Sequence, residues 1–139
     1  MTGHKQFAQF VERTYGETFQ LLEEAIEYNI NSLKQDDCDL PQGEGLKIVG
    51  EKMRLTTRLC EIMAWLFIQK ALAGGEITLK QARSDPCHLS AADVCLQETR
   101  RDAETISGRL LVMLDRSRDL YNRVMKMDQM ATRLYAKSA

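Results

Sequence analysis

EKMRLTTRLCEIMAWLFIQKALAGGEIT, residues Glu51–Thr78, is the stretch on which the fold turns. It contains the chain's only tryptophan, Trp65, a run of large apolar residues, and two arginines four apart, Arg54 and Arg58. Gly74-Gly75 gives a strong stop, because glycine readily takes the left-handed conformation at a helix C-terminus. The spacing predicts a helix from about Leu46 to Ala73. At 100° per residue it carries three stripes. Leu55, Leu59, Ile62 and Leu66 form one, and Thr56, Cys60, Met63 and Phe67 a second beside it. Opposite them lies a third: Glu61, Trp65, Ile68 and Leu72, continued towards the N-terminus by Arg54 and Arg58.

Two neighbouring helices cover two stripes, so the third needs another cover. An exposed apolar patch of that kind usually marks an interface. The reading adopted is a second subunit or partner over Trp65, Ile68 and Leu72, with Arg54, Arg58 and Glu61 as its polar rim. Each large side chain buried there contributes on the order of 1.5–3 kcal/mol. The alternative is that the connector over residues 75–90 folds back over Trp65. Thr56 and Thr57 read as small mid-helix spacers whose hydroxyls bond the carbonyl one turn back.

Outward from this stretch, a first helix is expected from about Lys5 to Leu33. Val11, Tyr15, Phe19, Leu22, Ile26, Asn29 and Leu33 step by four and three along one face. QDDCDLPQGEG breaks it, giving a loop over residues 34–45. After the glycine stop, Thr78 is placed to cap a short turn through Ala82 before Asp85-Pro86, within a second loop over residues 74–89. A third helix is expected from about Ser90 to residue 136, capped by the Ser90 hydroxyl. Thr99, Ala103, Ile106, Leu110, Met113, Ser117, Leu120, Val124, Met127, Ala131 and Leu134 keep an unbroken 4-3 spacing, which asks for a long partner helix. The expected fold is all-α: a single domain over residues 1–139, an up-down-up three-helix bundle, as a homodimer.

Composition agrees. Two prolines in 139 residues favour helix. The net charge of −1 recruits neither nucleic acid nor an anionic membrane. Charge is uneven, however: residues 1–40 hold eight acids against Lys5, Arg13 and Lys34. MTGHKQFAQF lacks the pattern of a secretory signal, and the apolar run Ile62–Ile68 is far short of the ~20 residues that span a bilayer. A cytoplasmic protein is expected, with Cys38, Cys60, Cys87 and Cys95 as free thiols.

Chemistry-bearing motifs are sparse. GxGxxG, the P-loop and HExxH are absent, and the glycines of GGEIT lack the lysine of a phosphate cradle. CHLSAADVC brings Cys87, His88 and Cys95 close in sequence but offers no paired-ligand spacing, so no metal and no cofactor is expected. Arg100, Arg101, Arg116, Arg118 and Arg123 are interleaved with Asp102, Asp115 and Asp119, without alternating aromatics, and nucleic-acid binding is not expected. One catalytic alternative is a small helical enzyme of chorismate-mutase type, with Arg54, Arg58 and Glu61 around a dianion. A DNA-associated regulator is the other, non-catalytic, alternative.

The same central stretch resembles the signature of the alphaproteobacterial regulator-of-CtrA-degradation family. Its RLTTRL-type segment matches Arg54–Leu59, its tryptophan-containing apolar segment Ile62–Ile68, its Gln-[Arg/Lys]-Ala Gln69–Ala71, and its Gly-Glu-[Met/Ile]-Thr turn Gly75–Thr78. LLEEAIEY, Leu21–Tyr28, is similar to the family's acidic first helix. The resemblance covers most of residues 10–135, its specificity concentrated in the second helix. It implies a dimeric three-helix bundle without catalytic activity, an adaptor that helps deliver CtrA and other cargo to the ClpXP protease. The best-known members carry a disordered tail after the third helix, whereas this sequence stops at Ala139.

Overall fold

The computed structural model describes residues 2–34, 44–84, 88–97 and 106–138. Five helices follow in order: α1 (Thr2–Lys34), α2 (Glu44–Ala73), α3 (Leu79–Ala82), α4 (Ala92–Cys95) and α5 (Gly108–Ser138). Three are long, two are single turns, and no strand occurs among the described residues.

The 4-3 seam of α5 behaves as its spacing predicts. Ile106, Leu110, Met113, Ser117, Leu120, Val124, Met127 and Ala131 are all buried. Thr99 and Ala103, the first members of the expected seam, lie outside the described residues. On α2 the stripe Leu55, Leu59, Ile62 and Leu66 is buried throughout. Of the second stripe only Met63 is covered; Thr56, Cys60 and Phe67 are exposed.

The α1 face departs from expectation. The helix buries Phe7, Val11, Thr14, Thr18, Leu21 and Ala25, while Phe19 and Ile26 stay 44% and 51% exposed. Two threonines replace two larger apolar residues inside because their hydroxyls are satisfied there. Thr18 Oγ1 donates to the Thr14 carbonyl at 2.7 Å and Thr14 Oγ1 to Met127 Sδ at 3.6 Å. A buried hydroxyl with a partner costs little, and its small size lets α5 approach closely.

Helix direction follows from pairs along the interfaces. Glu12 meets Lys70 and Tyr15 meets Phe67, so α1 and α2 are antiparallel. Glu17 meets Arg123 and Glu24 meets Arg116, so α1 and α5 are antiparallel too. From α2 to α5, Arg58 bonds Leu114, Trp65 bonds Asp128 and Gln69 bonds Tyr135, which makes those two parallel. The bundle is therefore up-down-down, a correction to the expected up-down-up order. A short link after α2 would have forced α5 antiparallel to it; α5 instead begins near the starting end of α2, as it does after long crossovers in other bundles.

That crossover has defined ends. Gly75 (φ +75°) closes α2 in a Schellman motif, with Glu76 N donating to Ala71 O at 2.9 Å and Gly75 N to Leu72 O at 3.2 Å. Thr78 and Gln81 then form a capping box that starts α3, the short turn expected there. Ser90 does not cap a long helix. Ala91, in the left-handed region at φ 59°, begins α4, which stops at Leu96. The cap of α5 is Ser107, whose Oγ accepts from Leu110 N at 3.1 Å and lies 2.9 Å from Tyr28 Oη.

Candidate functional site

The crossover runs up the groove between the parallel helices α2 and α5, and its contacts settle what covers the third stripe of α2. Arg58 is the centre of that cover. Its side chain is fully buried, with Nε donating to the Cys95 carbonyl at 2.6 Å and Nη2 to the Gln97 carbonyl at 2.8 Å. Nη1 donates to the Leu114 carbonyl at 3.0 Å and to Ser117 Oγ at 3.2 Å. One guanidinium thus caps the end of α4 and ties it to α2 and α5 together. Burial, and secondarily the neighbouring Arg54 cation, pull its pKa below the ordinary arginine value.

Arg54 extends the tie, donating to Glu51 Oε1 at 2.5 Å and to Gln97 Oε1 at 2.7 Å. Glu61 takes the next contact along: its Oε2 accepts from Ser90 Oγ at 2.8 Å and Ser90 N at 3.2 Å. The Ser90 carbonyl in turn accepts from Tyr121 Oη at 2.5 Å. Burial, with smaller contributions from Cys95 and Glu61, pushes the Tyr121 phenol up to about 12. Burial likewise raises the Cys95 thiol.

Trp65 is 2% exposed, which corrects the expectation that it lies open on the third stripe. Phe7 of α1 packs edge-on to its ring at 6.3 Å and 81°. The indole Nε1 donates to Asp128 Oδ1 at 2.9 Å, and His88 of the crossover sits on the same carboxylate, Nδ1 at 3.2 Å. The cover found for this stripe lies within the chain itself: Phe7 and Asp128 close on Trp65, and the connector, which reaches past residue 90 to Gln97, holds Arg54, Arg58 and Glu61. A parallel α2/α5 pair leaves a long groove between its members that the returning chain must occupy.

The six residues expected to form one interface are therefore divided. Arg54, Arg58 and Glu61 are bonded by the crossover, and Trp65 is enclosed between Phe7 and Asp128. Ile68, half-buried, lines an open groove of about 640 Å³ with Phe67 and Ile77. Leu72, also half-buried, lines a separate 330 Å³ groove with Phe7 and Tyr135. Nor do Arg54, Arg58 and Glu61 surround a cavity fit for a dianion. Four of the five N–H donors of Arg58 are spent on protein oxygens, and Glu61 is engaged by Ser90.

Among the described residues no group of three or more His, Cys, Asp or Glu is placed to hold a metal. Cys38 and Cys87 lie outside them; Cys60 is an exposed free thiol and Cys95 a buried one. No described helix is long and apolar enough to cross a membrane.

The partners that hold the crossover were not visible as a set in the sequence. Asp128 offered one signal, an isolated acid among the apolar residues Met125, Met127 and Met130. Tyr121 and Gln97 offered none, since nothing local couples them to Arg58 or Ser90.

What remains exposed is another apolar surface. On α2, Val49, Met53 and Phe67 are 51%, 64% and 53% exposed, in line with Thr56 and Cys60. On α1, Phe19, Ile26 and Ile30 are 44%, 51% and 50% exposed. The α1/α2 register, set by Glu12–Lys70 and Tyr15–Phe67, puts Ile26 level with Thr56 and Asn29 level with Met53. The two exposed stripes thus run side by side.

Fold and surface together define a helical-bundle protein whose polar interior serves its own crossover and whose free apolar residues lie outside, on paired helix faces. The chain belongs to the family described as "protein of unknown function (DUF1465)", matched over residues 3–139. No curated protein and no solved structure matches it.

Proposed function

We propose that this protein is a non-enzymatic adaptor in regulated proteolysis, helping to bring cell-cycle regulators such as CtrA to the ClpXP protease. One observation carries the reading: the exposed apolar face shared by α1 and α2, on a bundle whose buried polar side chains are tied to its own backbone. Contiguous exposed apolar surface of this kind serves association. The RLTTRL-to-GEIT segment adds support through its resemblance to an adaptor family.

The same face accommodates a second copy. A 30-residue helix is about 45 Å long, and two such helices side by side present about 900 Å², against about 800 Å² per partner in a standard interface. A homodimer is accordingly part of the proposal, with its contact on the α1/α2 face rather than at Trp65.

The test is reconstitution. Purified ClpXP and CtrA are followed for CtrA loss with and without this protein. Faster loss that depends on its concentration supports the adaptor role; an unchanged rate at saturating protein overturns it. Capture from an alphaproteobacterial lysate on the immobilised protein is expected to return protease components or cell-cycle regulators, and return of neither counts against it.

A further inference from the structure

The surface of α1 that faces α5 changes character along its length. Over most of it a ladder of ion pairs crosses the interface: Arg109 with Glu27, Arg116 with Glu24 at 2.6 Å, Arg123 with Glu17 at 2.6 Å. The rungs at Glu24 and Glu17 are seven residues apart on each helix. One further heptad brings Phe10 level with Met130, so the next rung is apolar. Both side chains are open to solvent, 38% and 40% exposed.

Two hollows meet there, of about 390 and 200 Å³, sharing Phe10 and Met130 between them. Buried Met127 floors the larger one. Around the rim stand Arg13, Arg123, Lys126 and Arg133, against the single carboxylate of Glu17. Glu17 is already held by Arg123, and none of Arg13, Lys126 and Arg133 pairs with a carboxylate among the described residues. The local excess of cations contrasts with the net charge of −1 for the whole chain. Where the ladder stops, no carboxylate among the described residues answers these three cations.

We propose that this groove docks an acidic amphipathic helical segment of a partner protein, its apolar side chains on Phe10 and Met130 and its carboxylates on Arg13, Lys126 and Arg133. The occupant is a helix because the groove is straight, lies between two helices and runs from about Gly3 to Glu17, ~20 Å, which suits a segment of about 14 residues. Its charge is set by the unanswered cations, which add specificity and association rate more than raw affinity. A nucleic acid fits less well: Phe10 is the single exposed ring lining the groove, too few to stack successive bases, and Glu17 stands in the path of a backbone. The site is separate from the α1/α2 face and holds whether or not the adaptor role does.

Fluorescence anisotropy tests it with four labelled probes on the full chain. These are a peptide of about 14 residues with leucines at i, i+3, i+4 and i+7 and glutamates elsewhere, its lysine-for-glutamate twin, its serine-for-leucine twin, and a single-stranded oligonucleotide. The acidic amphipathic peptide is expected to bind best, more weakly as salt is raised. Arg13→Glu combined with Lys126→Glu should weaken it about tenfold. Phe10→Ser should weaken it as well, while Lys80→Glu, in a different groove, leaves it unchanged. Circular dichroism checks that each variant is folded. Equal binding of the lysine twin, or indifference to the Arg13/Lys126 reversal, overturns the proposal; tightest binding of the oligonucleotide reassigns the groove and overturns it too.

Discussion

Arg58 lies where a long side chain is hardest to accommodate, in the interior between two parallel helices, and it is retained there by the carbonyls it satisfies. Removing it leaves the Cys95 and Gln97 carbonyls without their donor; Leu114 keeps Ser117 Oγ at 2.9 Å. A buried unsatisfied group costs about 1–3 kcal/mol. Arg58→Met is therefore expected to lower unfolding free energy by about 3–5 kcal/mol in urea titration, with Arg58→Lys recovering only part, since an ammonium cannot span the four acceptors. Tyr121 provides a pH signature of the same strap. Its phenol titrates near 10 when unfolded and about 12 when folded, so the folded state favours the neutral form. That stabilisation is complete below pH 10 and is lost as pH rises from there through 12. Tyr121→Phe should make the alkaline limb of a stability-versus-pH curve shallower in that window; an unchanged limb would mean the phenol is not buried in the folded state. At this scale the sequence displayed the arginines but not their acceptors. RLTTRL reads as a charged edge because helix periodicity says where a side chain points and not what arrives to meet it.

Among the elements, those with local punctuation were legible. The glycine pair ended α2 at Ala73, and Thr78 with Gln81 began α3. The start of α5 was missed: Ser107-Gly108 is itself a cap, but the 4-3 spacing continued upstream through Ala103 and Thr99 and masked it. On α1, apolar periodicity chose Phe19 and Ile26 for the core, whereas Thr14 and Thr18 occupy it, because close approach of α5 favours small hydroxyls over large rings. Gly75 gives a direct test of how far the crossover depends on its first turn. Nothing lies within 4 Å of a side chain added there, so only the positive φ opposes one. Gly75→Ala should cost about 1–2 kcal/mol by thermal or chemical denaturation, from left-handed backbone strain alone. A larger loss would place the crossover's docking in the same cooperative step as the turn.

For the molecule as a whole, topology decided what pattern could not. The sequence correctly showed that α2 has more apolar circumference than two helices hide, but the surplus was assigned to the wrong side. With α5 antiparallel to α2, the Trp65 side would be bare; with α5 parallel, the returning chain fills that groove, and the Met53–Thr56–Cys60–Phe67 line is left in solvent. The choice between them rests on long-range contacts such as Arg58 with Cys95 and Trp65 with Asp128, which no window of sequence contains. Two variants separate the consequences. Trp65→Ala removes a buried ring and its hydrogen bond, and is expected to lower stability by about 3–5 kcal/mol while leaving the oligomeric state of the folded fraction as it was. Ile26→Asp combined with Met53→Asp changes only exposed side chains, so stability should move by no more than about 1 kcal/mol. If the α1/α2 face joins two copies, sedimentation velocity will show that double variant as a monomer under conditions where the wild type is a dimer. Should Trp65→Ala instead dissociate a dimer without loss of stability, the tryptophan would have to be reached from outside the subunit, and Phe7 and Asp128 could not be its cover.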